Sequence, residues 1–176
     1  MDKTNKEKNP KSANDAEQKT LNLLSKEEES HPIDIDIAMK SSLIRTIWEG
    51  DRTERAIPLI NVGSSELKKV IEFLKYHKNV PFEPIPTPLK SKNMREIVPE
   101  WDANFIEMDQ SSLFKIILAA NYLDIRDLLD LSCAKVATMI KGKSVEAIRE
   151  CFGIENDFTK EELKAVKIEN GWTNIE

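Results

Sequence analysis

The side chains with the widest chemical repertoire are scarce in this sequence, which has two histidines, His31 and His77, and two cysteines, Cys133 and Cys151. A metal centre needs several histidine, cysteine or carboxylate ligands at suitable spacing, and a nucleophilic cysteine needs a base beside it. We find neither arrangement, and no glycine-rich phosphate-binding motif. We therefore predict no enzyme, no metal site and no cofactor. Both histidines are expected on the surface, and both cysteines as small buried hydrophobes.

The chemistry that the sequence favours instead is the burial of apolar surface, concentrated in Asp109–Phe158. Ser111–Leu123 predicts a helix that is apolar almost all round, Asp127–Lys141 an amphipathic helix, and Glu146–Phe152 a shorter third helix. A glycine follows each of the last two, as is common at helix C-termini. Short helices with so many large apolar side chains carry more than a small domain can hide, so part of this surface should meet another protein.

Composition narrows the kind of partner. The 176 residues carry a formal net charge of −5, and the acidic excess lies wholly after residue 100. This distribution argues against nucleic acid, which requires a basic face. Two cysteines are too few for a disulfide framework, and we find neither an apolar run of membrane-spanning length nor the apolar centre of a signal peptide. We expect a soluble protein of the cytoplasm and nucleus, without a membrane partner.

The remaining N-terminal elements predict a small sheet with helices. Residues 1–19 carry almost no large apolar side chain and are predicted to be disordered. Periodicity and turn residues then predict, in chain order, strands at Thr20–Ser25 and His31–Ile35, a helix at Ile37–Glu49 broken near Ser41, a strand at Ala56–Ile60, and a helix at Ser64–His77 with Ser64 or Ser65 as its N-cap.

Proline separates these elements from the C-terminal helices. Five of the eight prolines fall in Lys78–Glu100, which predicts a long mobile loop rather than a helix or central strand. A short helical turn is expected at Trp101–Glu107, and the capping box formed by Thr159 and Glu162 predicts a last helix at Thr159–Asn170. The element order predicts an α+β fold, with a small three-stranded sheet packed with helices and a C-terminal helical extension.

Two features are unusual for a plain core. Asn121 and Tyr122 interrupt an otherwise apolar helix. Their polar groups either meet backbone or water near the helix end, or form an amphipathic contact for a partner. Trp172 either folds back on its own helix or anchors in a partner's pocket. The residue pattern leaves these alternatives open.

Several segments resemble one family. IILAANYLDI at Ile116–Ile125, MIKGKS at Met139–Ser144 and NDFT at Asn156–Thr159 are similar to the S-phase-kinase-associated adaptors of SCF ubiquitin ligases. WDANFIEMDQ at Trp101–Gln110 resembles the family's WD-x-x-F-x-x-x-DQ segment, and PLINV at Pro58–Val62 resembles its third strand. The resemblance spans about residues 20–172 and is densest from Trp101 onward.

The resemblance implies a BTB/POZ fold followed by extra helices, in a protein with no activity of its own. Such adaptors join a cullin scaffold to F-box proteins, which select substrates for ubiquitination. Carried over by motif, the cullin contacts fall on Asn121 and Tyr122, which favours the functional interpretation of that pair. The F-box contacts fall on eight C-terminal positions, namely Leu129, Cys133, Val136, Ile140, Phe152, Ile154, Phe158 and Trp172.

The same comparison predicts domain boundaries and an alternative function. We expect a disordered tail at residues 1–19, a BTB/POZ-type domain at 20–125 with a long loop at 78–100, and an F-box-binding extension at 126–176. The turn at Lys26–Ser30 replaces the family's DGE-type hairpin, which suggests a diverged or duplicated member. The alternative is an F-box-binding scaffold in a non-ligase assembly such as the kinetochore, without cullin. The free chain is expected either to form a homodimer or to show a frayed C-terminal end.

Overall fold

The computed structural model describes residues 19–171, which divide into two compact units at residues 19–139 and 140–171. The first unit contains the sheet and most of the helices, in the order β1 (Thr20–Leu24), β2 (Ser30–Asp34), α1 (Ile35–Ala38), α2 (Ser42–Gly50), β3 (Ala56–Pro58), α3 (Ser64–Tyr76), a 3₁₀ turn (Met94–Glu96), α4 (Glu100–Phe105), α5 (Gln110–Tyr122) and α6 (Arg126–Ile140), whose last residue belongs to the second unit. The second unit contains α7 (Val145–Phe152) and α8 (Lys160–Glu169).

The sheet has the strand order β2-β1-β3. β1 runs antiparallel to β2, with Leu21 opposite Ile33, and parallel to β3, with Leu23 opposite Ile57. These four side chains are at most 1% exposed, so one face of the sheet packs into the hydrophobic core. The three predicted strands and the α+β class are confirmed, with the strand ends shifted by one or two residues.

A buried serine separates α1 from α2, as predicted. Ser41 is the N-cap of α2, and its hydroxyl oxygen accepts a hydrogen bond from the Ile44 N–H at 3.2 Å. The same hydroxyl donates to the Leu123 carbonyl at 2.5 Å. This second bond joins the start of α2 to the end of α5, which positions α5 against the core.

The N-terminus of α3 is capped by a distant turn, so the predicted N-cap at Ser64 or Ser65 is wrong. Gly63 is the N-cap residue and has no side chain to accept a hydrogen bond. Instead, Glu27 of the β1–β2 turn accepts from the Ser64 N–H at 2.8 Å, and the Ser64 hydroxyl donates to Glu29. These bonds lower the pKa of both carboxyls. Anionic side chains at a helix N-terminus are favourable, so this charged turn fastens the sheet to α3.

Both histidines are buried, which makes their predicted surface positions wrong. His77 is 3% exposed, with Nε2 at 2.9 Å from Asp102 Oδ1 and Nδ1 at 2.8 Å from the Val80 carbonyl. His31 is 7% exposed, and its Nε2 lies 2.9 Å from the Ser64 hydroxyl. Burial of each ring is tolerated because its Nε2 is hydrogen-bonded, in both cases to a side chain from a segment distant in sequence.

An aromatic cluster holds α4 against α3. The Trp101 ring stacks on Tyr76 with centroids 3.7 Å apart, and on Phe105 with centroids 5.0 Å apart. Phe73, which is 1% exposed, lies at the centre of the cluster. The WD pair at Trp101 and Asp102 therefore joins α4 to α3. Trp101 packs in the aromatic cluster, and Asp102 is hydrogen-bonded to the buried His77.

The long proline-rich segment is anchored to the core. Residues 78–99, all of which the structure describes, contain neither strand nor α-helix, as predicted, and only a 3₁₀ turn. Apolar side chains hold the segment in place along its length; Phe82, Ile85 and Leu89 are half-buried against the core, and Met94 and Val98 are buried. The sequence predicted a mobile loop and did not predict this anchoring.

Local hydrogen bonds define the helices of the second unit. Ser144 caps α7 by accepting from the Ala147 N–H at 3.2 Å. Gly153 ends α7 at φ +61°, and the Ile154 N–H then donates to the Arg149 carbonyl at 2.9 Å. The predicted capping box of α8 is confirmed. Within residues 140–171, no side chain reaches full burial.

Candidate protein-binding surfaces

The chemically versatile side chains are not gathered into a site. Within residues 19–171, no group of three or more histidine, cysteine or acidic side chains could hold a metal ion. No helix in that range is long and apolar enough to cross a membrane. Cys133 is exposed and Cys151 is partly exposed, so their predicted burial is wrong. Partial burial, and then the nearby negative charge of Asp130, raise the pKa of the Cys133 thiol, which stays protonated at neutral pH.

The first candidate surface is the outward stripe of α5. On the inner side of this helix Leu113 and Ile116 are at most 2% exposed. On the outer side Phe114 is 38% and Leu118 is 68% exposed, one helical turn apart. Asn121, which is exposed, continues this stripe, with the half-buried Tyr122 beside it. The pair predicted to bind cullin therefore lies at the end of an apolar stripe.

The sequence did not predict Phe114 and Leu118 as surface contacts, although both belong to this stripe. The apolar pattern of this helix indicated such a surface, because a helix that is apolar all round can turn only one side toward the core. A groove of about 250 Å³ lies beside Leu118, between α5, the start of α3 and the β1–β2 turn. Charged side chains from all three elements line it, including Lys26, Glu66 and Lys115. An apolar stripe with a charged rim is the usual composition of a protein interface.

The second candidate surface lies on α6. Leu129, Cys133 and Val136 are spaced to share one side of the helix, and Ile140 continues that spacing at its last turn. Cys133 is exposed, and the other three are half-buried. The buried stripe of α6 instead includes Leu128 and Leu131, which are 0% exposed. The predicted F-box positions on α6 therefore lie beside the core-facing stripe rather than within it.

The third candidate surface belongs to the second unit. Phe152 is half-buried, whereas Ile154 is 54% and Phe158 is 48% exposed. Phe152 and Ile154 flank the Gly153 turn, and Phe158 precedes the N-cap of α8. Trp172, the last predicted F-box residue, lies outside the described residues. Two further exposed apolar residues of this unit were not predicted as contacts, Val145 at 54% and Ile168 at 61%.

The three-stranded sheet with its helices, followed by a helical extension, defines the class as a POZ-type fold with a C-terminal addition. Comparison with family models agrees: residues 19–79 match the tetramerisation domain of the Skp1 family, and residues 126–173 match its dimerisation domain.

Individual relatives support the same conclusion. The chain is 47% identical over 153 residues to the S-phase kinase-associated protein 1 homolog of Tetrahymena thermophila, covering 86% of this chain and 92% of that protein. It is 46% identical over 154 residues to the E3 ubiquitin ligase complex SCF subunit sconC of Aspergillus flavus, covering 87% and 95%. The protein of the same name from Arthroderma otae is 49% identical over 142 residues, covering 80% and 86%. The chain belongs to the Skp1 family.

These comparisons confirm the resemblance and the fold at the level of the family. The assignment of individual residues to cullin or F-box contacts stays a prediction, as do the domain boundaries after residues 19 and 125. No observation favours the alternative of a scaffold outside a ligase.

Proposed function

We propose that this chain is the adaptor subunit of an SCF E3 ubiquitin ligase, joining a cullin scaffold to the F-box proteins that select substrates. The observation that carries the proposal is the near-full-length identity to relatives named as SCF subunits. The described residues support it, because apolar side chains are exposed both on α5 and in the segment between α7 and α8. A bridging subunit needs surfaces for two partners and no reacting group, so we assign it no catalytic step.

The cullin is assigned to α5. Its outer stripe offers exposed Leu118 and Phe114 as apolar contacts, with Asn121 and Tyr122 as polar and amphipathic contacts at one end. Tyrosine is favoured at interfaces because it presents an apolar body and a polar tip. The charged groove beside Leu118 supplies a rim that can orient the partner.

The F-box protein is assigned to the outer side of α6 and to the second unit. Ile154 and Phe158 are about half exposed in the isolated chain and would lose that exposure under a partner. Because residues 140–171 contain no fully buried side chain, a bound F-box would supply apolar burial that this unit lacks. The same exposed side chains are the basis for proposing homodimer formation by the free chain.

Co-expression tests the proposal directly. The full chain, a cullin N-terminal domain and an F-box domain fused to maltose-binding protein should co-purify as one complex of three components. Neither partner should co-purify with the other when the chain is left out. A chain that retains neither partner would refute the adaptor function.

Substitution on α5 should remove the cullin alone. Asn121→Lys with Tyr122→Lys places two positive charges on the proposed contact and should abolish cullin retention while leaving F-box retention unchanged. Asn79→Lys with Val80→Lys adds the same charge at two exposed residues after α3 and is the matched control. Loss of both partners in the first variant would show that the surfaces are wrongly assigned.

Substitution in the second unit should remove the F-box domain alone. Ile154→Ser with Phe158→Ser deletes two exposed apolar contacts and should release the F-box domain while cullin is retained. Val145→Ser, at an equally exposed apolar residue of α7, is the control and should retain both. Equal retention by the double variant and wild type would contradict the proposed surface.

Hydrogen exchange locates the F-box surface without substitution. Amides of residues 140–171 should exchange fast in the free chain and slow down when the F-box domain is bound, because binding adds burial where little exists. Amides of β1 and α5 should change little. Size-exclusion chromatography of the same free sample tests homodimer formation.

A further inference from the structure

A groove of about 310 Å³ separates the proline-rich segment from α6. Ile85 and Leu89, with Thr87 between them, form its outer wall, and Cys133, Ala134 and Ala137 form its inner wall. The small alanine side chains leave the space open on the helix side. Asp130 contributes the one acidic group among the residues that line this groove.

The groove lies next to the proposed F-box face of α6. Successive residues of an α-helix are turned by about 100°, so Leu129, Cys133 and Val136 cluster around one direction. Asp130, Ala134 and Ala137 cluster about 100° further round the same helix. Cys133 stands at the border and belongs to both sets, which makes the groove continuous with the face that carries the predicted contacts.

The outer wall is held in position by packing. Ile85 and Leu89 are half-buried against the core, and Met94 and Val98, further along the segment, are 4% and 7% exposed. A segment anchored at several points can present a shaped wall, because little further ordering is needed when a ligand binds.

We propose that residues 85–89 are a wall of the F-box-binding surface, and that the groove takes an apolar side chain of the F-box domain. This inference rests on the proposed function. Apolar walls select an apolar side chain, and exposed Asp130 at the rim favours a lysine or arginine beside it. The groove then helps to determine which F-box domains bind, since a domain with a polar or charged residue at this position would leave it unfilled.

Two variants test the groove by opposite changes, and a third is the control. Ala137→Leu fills it from the helix side. Ile85→Ser with Leu89→Ser removes the outer wall. Val80→Ser is the matched control, because Val80 lies in the same segment, is 44% exposed and does not line the groove.

The measurement is the affinity of each full-length variant for an immobilised F-box domain, chosen because it co-purifies with the wild-type chain. Filling the groove and removing its wall should each weaken binding about tenfold, the effect expected for one lost apolar side-chain contact. Val80→Ser should stay within twofold of wild type. Thermal melts of wild type and the three variants identify any variant that does not fold. If one groove variant does not fold, the affinity of the other tests the proposal.

The outcomes separate this inference from the function on which it rests. If no F-box domain co-purifies with wild type, the proposed function fails. If the domain binds wild type and both groove variants equally, the groove proposal is overturned while the adaptor function stands. If the free chain is a dimer that Ala137→Leu dissociates, and F-box affinity is unchanged, the occupant is a second copy and the proposal is wrong.

Discussion

Residues 19–139 and 140–171 place their apolar side chains in opposite ways. In the first unit, large side chains of the sheet and helices, such as Leu23, Phe73 and Leu113, are at most 1% exposed. In the second unit no described side chain is fully buried, and Ile154, Phe158 and Ile168 are each about half exposed or more. The first unit therefore contains a buried apolar core, whereas the described part of the second unit contains only half-buried and exposed side chains.

This difference fits the proposed adaptor function. Both α5 and α6 contribute buried side chains to the core of the first unit, which holds these helices in position. The described part of the second unit leaves apolar side chains exposed, so under the proposed function their burial would contribute free energy to F-box binding. Equivalent substitutions in the two units test this difference.

The largest contrast should come from removing one phenylalanine from each unit. Phe73→Ala leaves a cavity in the aromatic cluster and should lower the free energy of unfolding by about 4 kcal/mol. Phe158→Ala, at an exposed site, should change it by less than about 0.5 kcal/mol. Urea unfolding measures both; similar losses would show that the two units share one core.

The next largest effect should come from the buried pair of the first unit. His77 Nδ1 lies 2.8 Å from the Val80 carbonyl, which can only accept a hydrogen bond, and Nε2 lies 2.9 Å from Asp102 Oδ1. Asp102→Ala leaves Nε2 buried without its partner and should cost about 3 kcal/mol.

Two controls bracket that effect. Asp102→Asn keeps a hydrogen-bonding group beside the histidine and should cost less than alanine. Asp34→Ala breaks an exposed ion pair with Lys78, whose atoms lie 3.3 Å apart, and should cost less than about 1 kcal/mol. An Asp102→Ala variant as stable as wild type would contradict the role of the pair.

A smaller effect should come from the turn that ends α7. Gly153 has φ +61°, and a Cβ there would meet nothing within 4 Å, so Gly153→Ala introduces backbone strain and no clash. It should destabilise α7 by about 1 kcal/mol and weaken F-box binding through displaced Ile154. Gly50→Ala, also in open space but outside the left-handed region, should be neutral or stabilising. Hydrogen exchange of the α7 amides distinguishes the two variants. Exchange rates in Gly153→Ala equal to those of wild type would contradict a stabilising role for the Gly153 turn.

The smallest effect should be the pH dependence that Glu162 gives to the N-terminus of α8. Hydrogen bonds from the Thr159 N–H and hydroxyl lower the pKa of Glu162 from its ordinary value of 4.5. A lowered folded-state pKa means that the carboxylate stabilises the helix end above about pH 4.5, and that this contribution is lost as the pH falls through the folded value. The Thr159 amide resonance should shift over that range, and should not do so in Glu162→Gln. A shift retained in the glutamine variant would assign it to another group.

Much of the local structure could be predicted because its causes lie close together in sequence. The capping box of Thr159 and Glu162, the break at Ser41 and the glycine at the end of α7 each depend on residues a few positions apart. The family could also be recognised, because its motifs are continuous segments such as Ile116–Ile125.

The sequence did not show where side chains from distant segments would meet. Burial of His31 and His77 depends on Ser64 and Asp102, which only the tertiary structure brings beside them. The same holds for Glu27 at the start of α3. Such contacts have no periodicity to reveal them, since each joins separate elements through one pair of side chains.

The elements, their order and the excess of apolar side chains on the C-terminal helices could all be read from local sequence. Packing between distant segments sets which side of each helix stays exposed, including the Phe114 and Leu118 stripe, and places Ile85 and Leu89 beside Cys133. Periodicity follows from the backbone geometry of one helix, whereas exposure depends on what the rest of the chain covers.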